Sequence, residues 1–251
     1  MIIKHYKNYK LYIFIMNYNI LCIIPARSGS KSLPDKNIKI FKGKPLLAWS
    51  ILQAKNSEYS KNMRIIVSTD SDKYAKIAKD FGAEVPFLRP SLISEDDSTD
   101  FQFIKHAVDW LKINQNYESH IILHLRPTQP CRKIYDINKC LNIFINNYNT
   151  YDSLRTVIEL DKSPFKAYQI DKKNNNLKPL FKQINNIDEP YNQCRQILPK
   201  TYLHNGYIDI LKTSIIDKGT ISGDHIYPYI MSKEDIIDID NENDWINAIK
   251  K

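Results

Sequence analysis

Short apolar runs alternate with amphipathic segments along the first 150 residues of this 251-residue chain. Four runs are short enough to be buried strands, and they cover residues 20–24, 64–69, 83–88 and 120–125. Apolar residues at helical spacing predict four helices between and after them, over residues 46–57, 73–81, 97–112 and 134–147. Strands that alternate with helices form βαβ units, so we predict an α/β fold with a mostly parallel, doubly wound sheet.

The pattern changes at residue 151. Segments shorten, and Asn and Lys cluster at 172–176, which predicts a turn between two strands. We therefore divide the chain into a core of residues 16–150 and 204–251 and a small β-rich subdomain of residues 151–203. Within the second part of the core, the residues predict two more strands and a helix, over 207–211, 226–231 and 244–251.

Residues 1–15 precede the first predicted strand as a separate N-terminal extension. Their apolar part is too short to span a bilayer and lacks the small-residue cleavage site of a signal peptide. Met16 lies just before the core and is an alternative start of translation, in which case the extension is not translated.

The composition narrows the class of partner. Hydrophobic residues make up 43% and charged residues 25%, as in an ordinary globular protein. The net charge of +8 comes from cations spread along the chain, which favours an anionic small molecule over nucleic acid. The four cysteines form no CxxC pair, so a zinc site is not indicated. Their pattern fits a reducing compartment, and we expect a cytoplasmic protein without a membrane partner.

The loop after the first strand suits a phosphate chain. Pro25 has no N–H for a strand ladder, so the strand is expected to stop there. The loop then supplies the cations Arg27, Lys31 and Lys36 together with Ser and Gly, whose backbone N–H groups can approach phosphate oxygens. Its spacing fits neither a Walker loop nor a GxGxxG loop. The alternative interpretation is a solvated basic turn.

Three polar segments follow predicted parallel strands: residues 25–37, 68–70 and 126–130. Ligands of doubly wound folds bind outside the carboxyl ends of the strands. The topology therefore predicts one cleft that these three segments share.

The segment PARSGSKSLPDKN at 25–37 resembles the nucleotide-binding loop of the acylneuraminate cytidylyltransferases, or CMP-sialic acid synthetases, which reads P-A-R-x-x-S-K-x-L/I-x-x-K-N. Further family motifs follow in the family's order: STDS at 68–71, VPFLRP at 85–90, RPTQP at 126–130, RQILP at 195–199, Asn205-Gly206 and DID at 238–240. The resemblance runs from about Ile20 to the C-terminus. It implies the nucleotide-diphospho-sugar transferase type of α/β fold, and a homodimer formed through residues 151–203.

The resemblance also implies the reaction. A CMP-activated nonulosonic, sialic-type acid for surface glycans would form from CTP and the free sugar acid, with release of pyrophosphate and with Mg²⁺ as cofactor. The implied nucleotide-binding residues are Ala26, Arg27, Ser30, Lys31, Lys36, Asn37, Arg89, Asp100 and Thr128. The implied catalytic residues are Arg27, Lys36 and Asp240. For Arg89, a surface salt bridge is the alternative role.

Asp238 and Asp240 are two residues apart, so on an extended segment both carboxylates point to one face. Two carboxylates on one face suit a divalent cation that also binds phosphate oxygens. The resemblance assigns Mg²⁺ to both. The DIDN sequence is also compatible with a haloacid dehalogenase nucleophile motif, but that motif should follow the first strand.

Residues that would bind the sugar come from the same resemblance: Arg126, Lys166, Arg195, Gln196 and Asn205. An arginine can hold the sugar's carboxylate with two parallel hydrogen bonds, and the two amides can bond its hydroxyl groups. An ordinary exposed lysine is the alternative for Lys166.

Two residues depart from the best-known sialic acid enzymes. Arg126 replaces a glutamine and Leu203 replaces an arginine. These changes favour a related nonulosonate, such as legionaminic or pseudaminic acid, and deoxyoctulosonate fits less well. Outside this enzyme class, the alternatives are a non-catalytic nucleotide-binding homologue and a nucleic-acid binder with salt-dependent affinity for DNA.

Overall fold

A six-stranded sheet forms the centre of the computed structural model, which describes residues 18–250. Its strands are β1 (Ile20–Pro25), β2 (Met63–Ser68), β3 (Ile121–His124), β4 (Ser153–Glu159), β5 (Tyr202–Lys212) and β6 (Ile226–Met231). Their order across the sheet is β6-β4-β5-β3-β1-β2. Only β5 runs antiparallel to its neighbours, so the prediction of a mostly parallel sheet is confirmed. The predicted extension at 1–15 and Met16 lie outside the described residues.

The helices α1 (Leu46–Lys55), α2 (Asp72–Asp80), α3 (Asp100–Gln115) and α4 (Ile134–Asn146) cover the two faces of the sheet, and α5 (Glu242–Lys250) packs beside them in a separate cluster. Successive side chains of a strand point to opposite faces. Cys22 and Ile24 accordingly pack with α1, α2 and α4, whereas Leu21 and Ile23 pack with α3. This is the predicted doubly wound arrangement. Within residues 18–250, every helix is too short or too polar to cross a bilayer.

A third apolar cluster joins the loop after β1 to the segment before α5. Its buried members include Leu33, Phe41, Ile239 and Trp245, and the rings of Phe41 and Trp245 meet edge to face with centroids 5.7 Å apart. Residues from both ends of the described chain therefore share one small core. This core determines where the polar side chains beside Ile239 can lie.

Two predicted elements differ from the structure. Residues 83–88 do not form a strand, because only Glu84 makes a bridge, to Ile66, and Pro86 lacks an N–H for further pairing. Helix α3 begins at Asp100 rather than residue 97, because the Gln102 side chain accepts a hydrogen bond from the Thr99 N–H at 2.7 Å and closes a capping box.

The small subdomain begins later than predicted. β4 lies between β5 and β6 in the central sheet, so residues 153–159 belong to the core rather than to the subdomain. What remains is an excursion of residues 160–201 between β4 and β5. It contains two antiparallel hairpins, Tyr168–Asp171 with Asn176–Pro179 and Gln183–Ile184 with Ile187–Asp188. The turn predicted at 172–176 connects the first pair.

Candidate active site

A pocket of about 610 Å³ opens at the carboxyl ends of β1 and β3. These two strands are adjacent, and α1 and α3 cover opposite faces of the sheet, so the pocket lies where the winding reverses. The predicted segments 25–37 and 126–130 both line it. The third segment, 68–70, contributes indirectly, because Asp70 accepts hydrogen bonds from the first.

Most of the predicted site residues line this pocket: Arg27, Lys36, Asn37, Arg89, Asp100, Arg126, Thr128, Asn205, Asp238 and Asp240. Residues from five distant parts of the sequence are therefore brought together. Within the described chain, the remaining predicted residues lie outside this lining: Ala26, Ser30, Lys31, Lys166, Arg195 and Gln196.

Two of the residues outside the lining, Ser30 and Lys31, lie in the loop after β1, and the other four occupy three kinds of position. Ala26 is fully buried, and its N–H donates to the Ser68 carbonyl at 2.9 Å. Arg195 and Gln196 line a separate cavity of about 360 Å³ in the excursion. Lys166 lies exposed on a short 3-10 turn. The sugar-binding roles of these last three residues remain predictions.

The phosphate loop, residues 25–37, is tied to its surroundings at several points. The backbone N–H and the hydroxyl of Ser28 both donate to Asp70, at 2.8 and 2.9 Å. The Asn37 amide donates to the Arg27 carbonyl at 2.9 Å. These bonds hold the loop in one conformation, so a freely solvated basic turn does not describe it.

Asp96 binds two cations of the phosphate loop. Its Oδ1 lies 2.7 Å from Nη2 of Arg27, and its Oδ2 pairs with Nζ of Lys31. The hydrogen bonds from Lys31 and Arg27 hold the pKa of Asp96 below its usual value, so the carboxylate is charged at neutral pH. Asp96 was not predicted from the sequence.

Lys36 and the two predicted metal ligands meet in the pocket. Nζ of Lys36 lies 3.0 Å from Oδ1 of Asp240. Ile239 is fully buried and its N–H donates to the Thr128 carbonyl at 2.9 Å, whereas Asp238 and Asp240 on either side of it are exposed and line the pocket. The alternation places both carboxylates on one face, as their spacing predicts.

The donor set of these carboxylates fits Mg²⁺. Although Asp238 is exposed, desolvation by the pocket wall raises its pKa, and the charge of Asp240 raises it further. A divalent cation would relieve this concentration of negative charge. Within residues 18–250, no group of three or more acidic, His or Cys side chains could hold a metal. Two carboxylates are nevertheless enough, since Mg²⁺ usually completes its coordination with substrate phosphates and water.

A charge cluster built around the buried side chains of Asp209 and His124 forms another part of the pocket wall. The guanidinium of Arg126 lies 2.5 Å from Asp100 and 2.6 Å from Asp209. Asp209 also contacts His204 at 2.7 Å and lies 3.7 Å from His124. Two carboxylates therefore already neutralise Arg126. Binding of a sugar carboxylate by Arg126 remains a prediction, because in the structure the guanidinium is already bound to Asp100 and Asp209.

Burial shifts the pKa values in this cluster. Burial alone would raise the pKa of Asp209, but the hydrogen bond from His204 and the charge of Arg126 outweigh it and lower the pKa. Burial lowers the pKa of His124 to about 3, and Arg126 adds to that effect. His124 is therefore neutral at pH 7, and Asp209 is charged.

Arg89 is a buried cation, with 5% of its surface exposed. It donates to the hydroxyl and carbonyl oxygens of Ser68 at 3.0 and 2.6 Å, and its guanidinium lies 4.8 Å from the Phe103 ring centroid. The alternative of a surface salt bridge is therefore wrong. Burial lowers its pKa to about 10, so it still carries a positive charge at neutral pH.

Several residues that line the pocket were not predicted from the sequence. His204 directly precedes the Asn205-Gly206 motif, so its position was a usable signal. Ile158 and Ile236 form an apolar part of the wall with Leu203. These two isoleucines carry no sequence signal that separates them from ordinary core residues.

A family model described as Cytidylyltransferase matches residues 21–205. The chain belongs to the cytidylyltransferase family. It is 35% identical to an Escherichia coli N-acylneuraminate cytidylyltransferase, covering 93% of this chain and 52% of the relative. The chain thus spans about half the length of the first such relatives it matches.

Two shorter relatives are covered almost completely. A Legionella pneumophila CMP-N,N'-diacetyllegionaminic acid synthase is 35% identical, covering 90% of this chain and 93% of the relative. A Campylobacter jejuni pseudaminic acid cytidylyltransferase is 29% identical, with 89% and 92% coverage. The predicted resemblance to the acylneuraminate cytidylyltransferases is confirmed.

Solved structures agree on the fold. CMP:2-keto-3-deoxy-manno-octonic acid synthetase, solved with CTP, aligns with a TM-score of 0.65 at 14% identity over 92% of this chain and 97% of that chain. A 4-diphosphocytidyl-2C-methyl-D-erythritol synthase from Anaerococcus prevotii aligns with a TM-score of 0.60 at 12% identity, over 95% and 97%. The predicted nucleotide-diphospho-sugar transferase type of fold is confirmed.

Proposed function

We propose that this chain catalyses cytidylyl transfer from CTP to a nonulosonic acid, a nine-carbon α-keto acid sugar. One observation carries the proposal. The pocket at the strand ends brings the phosphate-loop cations Arg27 and Lys36 together with the paired carboxylates Asp238 and Asp240. Cations for a triphosphate and oxygen ligands for a divalent ion are the two requirements of nucleotidyl transfer.

At the α-phosphorus, the proposed reaction forms one bond and breaks one. The anomeric hydroxyl oxygen of the sugar bonds to the α-phosphorus of CTP, and the bond from that phosphorus to the bridging oxygen of the β-phosphate breaks. Pyrophosphate leaves, and the hydroxyl proton passes to solvent. No covalent enzyme intermediate is required, so the residues need only position the reactants and neutralise charge.

The chain's own side chains supply these functions. Arg27 and Asn37 face the phosphates, and Lys36 stabilises the negative charge that develops on the leaving pyrophosphate. The Lys36 side chain is only 12% exposed, so its charge acts through a medium less polarisable than water. Asp238 and Asp240 would hold Mg²⁺, which supplies polarisation of the α-phosphate when bound.

The class of sugar follows from the relatives and from the pocket. The relatives' names specify N-acylneuraminate, diacetyllegionaminate and pseudaminate, all nonulosonic acids. In this chain, Leu203 joins Ile158 and Ile236 on the pocket wall, and Arg126 is already paired with carboxylates. An apolar wall suits acyl or methyl substituents, which supports the legionaminate and pseudaminate types as well as the sialic type.

We further propose that the protein is a homodimer formed through the excursion of residues 160–201. Ile170 and Leu177 lie opposite each other in its first hairpin and are each 65% exposed. Clustered exposed apolar side chains mark interaction surfaces. Sedimentation at micromolar concentration should show a dimer, and a monomer would contradict the proposal. The cytoplasmic location stays a prediction.

The decisive experiment measures pyrophosphate release with CTP, Mg²⁺ and four sugars: N-acetylneuraminate, legionaminate, pseudaminate and deoxyoctulosonate. Release with one sugar identifies the substrate, and Asp240→Asn should reduce it by roughly a hundredfold or more because a metal ligand is lost. Glu242→Gln is the matched control, since Glu242 lies nearby on α5 and pairs with Lys39. CTP binding without release with any sugar would favour the non-catalytic homologue.

A further inference from the structure

One carboxylate holds both outer cations of the phosphate loop. Asp96 uses Oδ1 for Arg27 and Oδ2 for Lys31. Phosphate oxygens would accept hydrogen bonds from the same guanidinium and ammonium groups. In this conformation, Asp96 thus stands in for an anionic ligand. Neither the sequence motifs nor the proposed reaction requires a carboxylate at this position.

Several contacts besides those with Asp96 hold the phosphate loop. Arg27 also donates to the Gly29 carbonyl at 3.0 Å. The Ser28 backbone and hydroxyl bind Asp70, and the Ser32 hydroxyl donates to the Asp240 carbonyl at 2.7 Å. None of these contacts involves Asp96, so they would persist if its ion pairs broke. Arg27 and Lys31 would then stay near their positions, and their N–H groups could donate to another anion.

The pairs with Asp96 are exposed and therefore exchangeable. Side-chain exposure is 84% for Lys31, 41% for Asp96 and 30% for Arg27. Water screens exposed ion pairs, and a single carboxylate holds its partners weakly in such a place. A triphosphate would bring several negative charges to the same cations and would therefore displace Asp96. The displacement still costs the two ion pairs, and that cost weakens binding of the triphosphate.

We propose that Asp96 is an internal anion that competes with a triphosphate for Arg27 and Lys31 and thereby sets nucleotide affinity. The identity of the phosphate ligand rests on the proposed function. Asp96 forms ion pairs with both cations before nucleotide binds. These pairs break as the phosphates bind, and they form again as pyrophosphate leaves. Its return favours product release.

The test compares Asp96→Asn with Asp97→Asn by titration calorimetry against CTP and against inorganic tripolyphosphate, at a fixed Mg²⁺ concentration. Asp97 is the next residue and is also exposed, so both variants change the net charge of this loop equally. Asp96→Asn should bind both ligands roughly two- to tenfold more tightly than wild type. Asp97→Asn should differ from wild type by less than about twofold, and added salt should shrink the gain of Asp96→Asn.

The outcomes separate this inference from the proposed function. Equal affinities for the two variants would overturn the inference, and weaker binding by Asp96→Asn would show that Asp96 orients Arg27 instead. If wild type binds tripolyphosphate but not CTP, the proposed function fails, yet tighter tripolyphosphate binding by Asp96→Asn still supports the inference. Binding of neither ligand by any variant would overturn both.

Discussion

Two groups of ion pairs in the same pocket differ in burial far more than in distance. Arg126 binds Asp209 at 2.6 Å, and Lys36 binds Asp240 at 3.0 Å. The Asp209 side chain is 7% exposed, whereas that of Asp240 is 67% exposed. The Asp209 carboxylate is therefore shielded from water and ligands, whereas the Asp240 carboxylate is open to both. Burial therefore decides which pairs fix the shape of the pocket and which exchange with substrate.

The largest effect on stability should come from removing Asp209, the buried carboxylate that binds Arg126. Asp209→Ala leaves Arg126 with one of its two carboxylates and deprives His204 of its partner. Asp100 still balances the charge of Arg126, but both Arg126 and His204 lose a strong hydrogen bond to a buried carboxylate, so we expect the free energy of unfolding to fall by about 3 kcal/mol. Urea denaturation followed by circular dichroism measures this change.

A triple variant is the control for that experiment. Arg126→Met combined with Asp209→Leu and Asp100→Asn removes the guanidinium together with both of its carboxylates. Because no charge of the cluster then remains unpaired, the triple variant should be more stable than Asp209→Ala. A triple variant as unstable as the single one would show that Asp209 stabilises the fold through contacts other than Arg126.

Changes at the Lys36–Asp240 pair should affect activity. Lys36→Met removes the charge assigned to the leaving pyrophosphate, and kcat/KM should fall by roughly a hundredfold. Lys39→Met is the matched control, because Lys39 lies in the same region and pairs with Glu242 at 3.2 Å. Its kcat/KM should change by less than about threefold. Equal losses in the two variants would mean that general positive charge, rather than Lys36, assists the reaction.

His124 predicts an acid-sensitive stability for the buried cluster. Its pKa is about 3 in the folded chain against an ordinary 6.5, so the unfolded chain binds more protons between these pH values. Stability should therefore fall as the pH drops below about 6.5, and the His124 contribution should reach about 2 kcal/mol between pH 7 and pH 5. His124→Gln cannot titrate, and its unfolding free energy should depend less on pH over this range. Equal pH slopes for the two proteins would contradict this prediction.

The smallest effect on stability should come from the ion pairs of Asp96, which are exposed. Asp96→Asn should leave the urea midpoint of unfolding the same as that of wild type, since screened surface pairs contribute little to stability. The same variant should change phosphate affinity, so its binding and stability effects separate. A clear drop in the urea midpoint would place Asp96 with the buried group instead.

Local sequence patterns predicted most of the fold. The runs at 20–24, 64–69 and 120–125 form neighbouring strands, because apolar β-rich segments of that length must be buried between helices. The run at 83–88 has a similar composition but lies at the edge beyond β2 and makes a single bridge. Pro86 and the edge position, rather than the apolar content of the run, explain why it does not pair further.

The pocket was predictable where its residues belong to local motifs. Lys36, Asn37, Asp238 and Asp240 all lie in segments whose spacing indicated a ligand. The contacts of Asp96 with Arg27 and of Asp209 with Arg126 span 69 and 83 residues. No local pattern selects one carboxylate among many at such separations. Only the folded structure shows which carboxylates pair with these cations, and therefore which cations are available to a ligand.

The contact between Lys36 and Asp240 joins residues that are 204 positions apart. A ribosome therefore translates the phosphate loop long before the carboxylates that complete the pocket. A polypeptide stalled before residue 238 would display Lys36 without its counter-charge, as a cationic surface open to any polyphosphate, including RNA. The pocket that we propose for a metal-bound nucleotide is thus completed late in synthesis, when Ile239 packs into its apolar cluster and brings both aspartates beside the loop.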